Sequence, residues 1–276
     1  MGNLNIATDN DCLNIVPVHF TYVTATTSKG NVNATFGVLK DIIDGKIGAV
    51  MTHGADKAGK VRIDSAIGLN EFYSDRSGTE ELVSVKRNEG GFVHVTSVLA
   101  DDEKARNTFT ADMLITSVTQ IEGDEEKGTK DKVIVRGCVF DFRKAVLPVE
   151  FSVTNDRGMD YFLGLDASSK NPVFTKVWGR QISQTVTRKT VEESAWGEAR
   201  VQESTSTRRD WVITGCNPEP YAWDDESTIT AKELTEAMAN RETYLATIKK
   251  RQDEYKASKN AATPGIAAPA AGEFKF

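Results

Sequence analysis

The sequence predicts a mainly β protein: two consecutive small β domains, each a barrel or a sandwich, followed by one amphipathic helix and a tail. Three observations carry this reading. Short runs rich in β-branched and aromatic residues recur between turn signals from about residue 13 to 216. One polar segment, Glu122–Asp131, interrupts them, and after Cys216 the pattern takes on a helical period.

The strand text is clearest in Ile15–Val23, Phe92–Val98 and Lys132–Phe140. Lys29-Gly30-Asn31, Glu89-Gly90-Gly91, Asp156-Arg157-Gly158 and Lys170-Asn171-Pro172 read as the turns between strands. With few helical patterns among them, a barrel or sandwich fits better than a βαβ arrangement. The polar segment holds almost nothing to bury, so 123–131 is expected to link a domain at 1–122 to one at 132–216. An echo supports two units. Asp112–Ser117 (DMLITS) and Asp210–Gly215 (DWVITG) would each close one of them.

The region 217–257 is expected to be a proline-containing connector and a helix. Asn217-Pro218-Glu219-Pro220 blocks further strand. Thr230-Ala231-Lys232-Glu233 has the form of a capping box, and Leu234, Met238, Leu245, Ile248 and Tyr255 recur at helical spacing. A helix over 230–257 would pack on the second β domain or serve as a partner or self-association helix. Residues 258–276 are rich in Ala, Pro and Gly and are expected to be disordered, ending in Phe274 and Phe276 as a docking peptide.

Several function classes fall away. No apolar run approaches the roughly 20 residues of a membrane span, and the N-terminus lacks a basic then apolar leader, so a cytoplasmic location is expected. Cys12, Cys138 and Cys216, like His19, His53 and His94, are too scattered for a metal site, and no cofactor is implied. Gly54–Lys60 matches the phosphate-loop pattern GxxxxGK, but Val61 stands where a magnesium-binding hydroxyl is needed. Val61–Leu69 alternates as a strand, so the glycines are expected to mark a hairpin turn. With no supported nucleophile either, the protein is not expected to be an enzyme.

Charge points elsewhere. The formal net charge is −6, yet residues 131–216 carry 13 Lys+Arg against 11 Asp+Glu, whereas residues 1–130 carry 13 against 19. An anionic ligand is therefore expected on the second segment. Within it, strand alternation over Pro172–Ser183 puts Phe174, Lys176, Trp178 and Arg180 on one face. Rings and cations sharing a face suit single-stranded nucleic acid, because bases stack and phosphates pair with the cations; the alternative is that Phe174 and Trp178 belong to the core and the cations are solvated. Residues 184–209 then read as a long polar hairpin carrying Arg188, Lys189, Arg200, Arg208 and Arg209, with Trp196 at its tip. Such an arm could wrap a strand of nucleic acid or reach a neighbouring subunit. Lys86, Arg87 and Phe92 are the corresponding candidates in the first segment.

Lys132–Phe142, Leu147–Thr154, the run Phe-x-x-Val-Trp-Gly-Arg at 174–180, the polar hairpin and Trp211–Thr214 together resemble the bacterial SSB type of single-stranded-DNA-binding protein, an OB-fold family. The resemblance implies two tandem OB-like barrels of phage or mobile-element origin, the second SSB-like, with Trp178, Gly179 and Arg180 at the DNA. It implies single-stranded DNA binding and protection in replication or recombination, with RNA also a possible ligand. The tail would dock replication or recombination proteins, although the family's acidic tip is here Glu273-Phe274-Lys275-Phe276. A homo-oligomer in the cytoplasm, that of the host if phage-encoded, fits the same reading. The alternative is a virion or filament component that uses its β domains and hairpin for subunit contacts.

Overall fold

The computed structural model describes residues 2–123, 130–192, 196, 200–223 and 229–262, with backbone alone at 184–192, 204–206, 208, 231 and 260–262. The protein is mainly β, as the sequence predicts. Strands β1 (Gly2–Ala7), β2 (Ile15–Phe20), β3 (Val61–Ser74) and β4 (Glu81–Val95) form a four-stranded sheet in the order β1-β2-β4-β3. Helices α1 (Ala34–Ile43) and α2 (Val50–His53) lie between β2 and β3 in the chain. Strands β5 (Thr108–Ile121), β6 (Lys132–Phe140), β7 (Val146–Val153), β8 (Val173–Glu192) and β9 (Arg200–Cys216) close a barrel in the order β5-β6-β7-β9-β8. Helix α3 (Asp156–Gly164) joins β7 to β8, and α4 (Ala231–Ala262) follows the barrel.

Alternate residues of the barrel strands turn inward to one core, while parts of their outer faces are covered as well. Met113, Ile115, Val133, Val135, Phe151, Val153, Val177, Trp211 and Ile213 form one buried cluster, to which α3 adds Phe162. Neighbouring strands are antiparallel except β7 and β9, which meet in parallel at Ser152 and Val212. Where β5 bulges between Ile115 and Ser117, β6 carries Gly137. A Cβ there would stand 1.9 Å from the Leu114 carbonyl oxygen, so no larger residue fits without moving the backbone.

The first unit is an open sheet, which corrects the expectation of a first barrel. Its physical reason is the fate of β5: the sequence assigns this strand to the first unit, but both its edges are taken by β6 and β8. The segment 123–131 is accordingly no link between domains, since Ile121 pairs with Lys132 and the stretch joins adjacent strands of one barrel. The two echoed segments also belong to that barrel. DMLITS in β5 and DWVITG in β9 flank β8 on its two sides and bury Met113 and Ile115, Trp211 and Ile213 in the same core.

Two of the helices that escape the strand reading, α1 and α3, are started by polar caps. Asn33 caps α1, accepting from the Thr35 amide, and Asn155 caps α3, accepting from the Gly158 amide. The expected turn at Asp156-Arg157-Gly158 is therefore the first turn of α3. Glu89-Gly90-Gly91, also read as a turn, lies inside β4. A Cβ at Gly90 would meet the Phe20 ring at 2.3 Å and one at Gly91 the Asp64 carbonyl oxygen at 2.0 Å. The loop Gly54–Lys60 leads from α2 into β3 and is no turn between two strands, although Val61 does begin a strand.

The capping box at α4 forms as its sequence implies. Glu233 accepts from the Thr230 amide at 3.0 Å, and the Glu233 amide donates to the Thr230 hydroxyl at 3.2 Å. The helix runs past residue 257 and serves both units. Leu234 and Ala237 pack with Leu114, Cys138, Val146 and Phe174 of the barrel. Farther along, Arg241 holds Glu71 of β3 at 2.6 Å, and Gln252 exchanges hydrogen bonds with the Tyr73 backbone. Met238 and Tyr255, expected on the packed face, are exposed.

Sheet and barrel meet in a polar joint. The Gln181 side chain of β8 and the Asn88 side chain of β4 form a reciprocal amide pair at 2.7 and 2.9 Å. Asn88, only 6% exposed, also donates to the Pro17 carbonyl at 3.0 Å. Asn14 and Asn107 donate to the Gln181 carbonyl, and the Ser183 amide donates to Asn14 at 2.5 Å. Every amide here is committed to another, so removing one leaves buried groups unpaired.

Asn88→Ala is expected to lower stability by about 1–3 kcal/mol in urea unfolding, from the unpaired Gln181 amide and Pro17 carbonyl. Acid acts at the start of α4. The Lys144 ammonium hydrogen-bonded to Glu233, then the two Thr230 contacts, hold its carboxyl down at about 2, against an ordinary 4.5. A depressed acid stabilises above its unfolded value and loses that effect as pH falls through the folded one. The attachment of α4 should therefore weaken between pH 4.5 and 2, and Glu233→Gln should flatten that part of the acid-unfolding profile.

Candidate nucleic-acid interface

The outer face of β8 is built by simple alternation. Thr175 and Val177 point into the barrel and are fully buried, so residues 174, 176, 178 and 180 share the opposite face, as expected. What lies over that face differs along its length. The connector after β9 runs beside the start of β8, with the Asn217 amide donating to the Lys176 carbonyl and the Tyr221 amide to the Phe174 carbonyl. Phe174 is thereby only 3% exposed, packed against Tyr221 with ring centroids 5.3 Å apart, and against Phe140, Trp223, Leu234 and Ala237. It is core, which corrects its placement as a ring open to bases.

Trp178 is different. It is 41% exposed, paired by register with Thr110 on one side and Gly215 on the other. A Cβ at Gly215 would come within 2.4 Å of the indole nitrogen, so the ring rests against bare backbone. Lys176 faces Asp112 at 3.9 Å, and Asp112 also accepts from the Tyr221 hydroxyl at 2.9 Å. Arg180 has no ion-pair partner among the described residues, and its Nε is buried with no acceptor.

Beyond Arg180, β8 and β9 continue as a two-stranded arm. Register opposes Arg188 to Ser204, Gln184 to Arg208 and Glu192 to Arg200, which puts these three arginine positions on the face that carries Trp178 and Arg180. Lys189, opposite Glu203, and Arg209, opposite Ser183, take the other face. Trp196, beyond the last paired residues, is 88% exposed.

Three other predicted residues fall elsewhere. Lys86, Arg87 and Arg209 line one cleft of about 700 Å³ between the sheet and the barrel. Lys132, Asp210, Glu150 and Ser152 line it too, and sequence reasoning missed them because only the tertiary docking of β4 on β6 and β7 makes them neighbours. Arg87 is paired with Glu89 at 2.5 Å. The Lys86 ammonium donates to the Glu150 carbonyl and stands 5.2 Å over the Phe151 ring. Burial pushes its pKa down, against the opposing pull of Glu150 and Asp210. Phe92, 69% exposed on β4 beside His94, joins neither the cleft nor the β8 face. Phe274 and Phe276 lie outside the described residues.

A family model described as YorF matches residues 1–254, the sheet, the barrel and most of α4 together. The chain belongs to the YorF family. No match is found among curated proteins or among solved structures. The YorF match spans β8, the arm and the cleft alike, so both candidate surfaces belong to the family-wide part of the chain. None of its helices is long and apolar enough to cross a membrane, among the described residues.

Proposed function

We propose that the protein binds single-stranded DNA along the outer face of the β8–β9 ribbon and protects it during replication or recombination. One observation carries this reading: register lines up Trp178, Arg180, Arg188, Arg208 and Arg200 on a single continuous face. From Trp178 to Arg188 that face extends about 33 Å at ~3.3 Å per residue. A barrel-based site of this reach suits a segment of several nucleotides, within the roughly 4–16 known per barrel of this size. The closed five-stranded barrel, with its helix between the third and fourth strands, supports reading it as an OB-type scaffold. Trp178 supplies a half-open ring for a base, and the arginines meet phosphates without any base identity being read.

The wider reading follows from that activity. A cytoplasmic protein, that of the host cell if phage-encoded, would meet single strands at replication or recombination sites, and its C-terminal Phe274 and Phe276 would dock partner proteins there. A structural or assembly role is the second reading, favoured by the exposure of Phe92 and Val95 in β4 and of Val98 just after it.

Fluorescence anisotropy with labelled oligo(dT), oligo(U) and a duplex tests the proposal. Oligo(dT) should bind, and log affinity should fall linearly with log salt. Trp178→Ala should cost about 1–3 kcal/mol, roughly 5- to 150-fold. Arg188→Gln, Arg200→Gln and Arg208→Gln together should reduce the salt slope by about two, at ~0.7 per phosphate contact on a single strand. Comparable binding of oligo(U) would extend the ligand to RNA. Oligo(dT) binding indifferent to both sets of changes would refute the face, and large assemblies on a sizing column that ignore every oligonucleotide would favour the second reading.

A further inference from the structure

The cleft between sheet and barrel is a separate feature from the ribbon face. At about 700 Å³ it falls within the roughly 300–1,000 Å³ of ligand sites. Its charges are unevenly satisfied. Lys132 faces Asp210 at 3.9 Å, and Asp210 also accepts from the Ser152 hydroxyl at 2.7 Å. The Glu150 carboxylate is engaged by Arg136 at 3.2 Å, and Arg87 by Glu89. Among the described residues, Lys86 and Arg209 have no carboxylate within ion-pair distance.

Two unpaired cations from opposite walls of one cleft, with Lys132 beside them, mark a place where a negative charge is missing. We infer that this cleft binds a phosphate group, with Lys86 of the sheet facing Lys132 and Arg209 of the barrel across it. A phosphate suits this arrangement because its tetrahedral oxygens can meet more cations on different sides than the two coplanar oxygens of a carboxylate. Burial already disfavours the charged form of Lys86, and an anion would offset that cost. The phosphate comes either from a DNA strand that passes beneath the sheet or from a free nucleotide. Register places Arg209 on the opposite face of the arm from Arg208, so the cleft is filled independently of the ribbon face.

Titration calorimetry of the full chain with inorganic pyrophosphate, dTTP and oligo(dT) tests this. Saturable binding of pyrophosphate is expected, weakened about tenfold or more by Lys86→Gln and by Arg209→Gln and retained in Lys86→Arg. Arg209 is exposed, so its variant keeps the fold even if Lys86→Gln perturbs the joint. Trp178→Ala with Arg180→Ala should leave pyrophosphate binding unchanged. Displacement of pyrophosphate by oligo(dT) assigns the phosphate to a strand, and displacement by dTTP alone assigns it to a nucleotide. Failure of oligo(dT) to bind while pyrophosphate binds would overturn the proposed function and leave this site standing. The absence of saturable binding by any of the three, or binding unchanged in both Lys86→Gln and Arg209→Gln, would overturn the site.

Discussion

The architecture hangs on the amide pair between Gln181 and Asn88, residues 93 apart in sequence. Before Gln181, alternate residues of β8 fill the barrel; at Gln181 the inward position becomes an amide, and the barrel's apolar interior gives way to a polar seat for the sheet. The seat is over-determined. Asn14, Asn88 and Asn107 all converge on it from the N-terminal region and the lead-in to β5. A polar network of this kind costs little when complete and a great deal when broken, so it fixes one orientation of sheet on barrel where the apolar contact of Ile67 and Leu69 with the barrel core would alone tolerate several. Helix α4 ties the far end of the same arrangement through Arg241 and Glu71.

The consequence is that one strand, β8, does three things in turn. Val177 and Thr175 belong to the core, Gln181 to the joint, and the remainder to an arm that leaves the barrel. Because the side-chain period is two and β8 itself takes no bulge against β5, the face bearing Trp178 at the barrel continues unbroken along the arm. The extra residue on β9, Thr214, sits beside Trp178 and brings Gly215 under the indole. The same joint that orients the arm also opens the cleft that Lys86, Lys132 and Arg209 line. Both proposed contact surfaces are thus products of one docking geometry, and the acidic net charge of the chain does not oppose them because cations are gathered locally.

Local signals carried the parts of this structure that local physics decides. Alternation in Val173–Ser183, the polar arm, the capping box at Thr230–Glu233 and the strand after Gly59 were all legible in the sequence. Partner choice was not. Nothing within Thr108–Ile121 says that its neighbours are β6 and β8, so the sequence points to a boundary at the polar stretch that follows it. The likeness of DMLITS to DWVITG reflects two strands with the same task, flanking β8 and filling one core, and no duplication is needed. Alternation puts Phe174 on the outer face, but the connector that buries it begins some forty residues later in the chain. Sequence marks Lys86 and Arg87 only by a likeness to the basic-aromatic strand, whereas the fold puts them in one cleft with Arg209. Asn88, between them and the joint, carried no signal at all, because its role exists only once Gln181 is opposite it.

The central claim is that a single strand lies on the face that bears Trp178. Photo-crosslinking with an oligonucleotide carrying 5-iodouracil, followed by mass spectrometry of the linked peptides, locates the bases directly. The account predicts a dominant crosslink at Trp178. Crosslinks confined to Phe92, or none on β8 at an oligonucleotide concentration that saturates the protein, would contradict it.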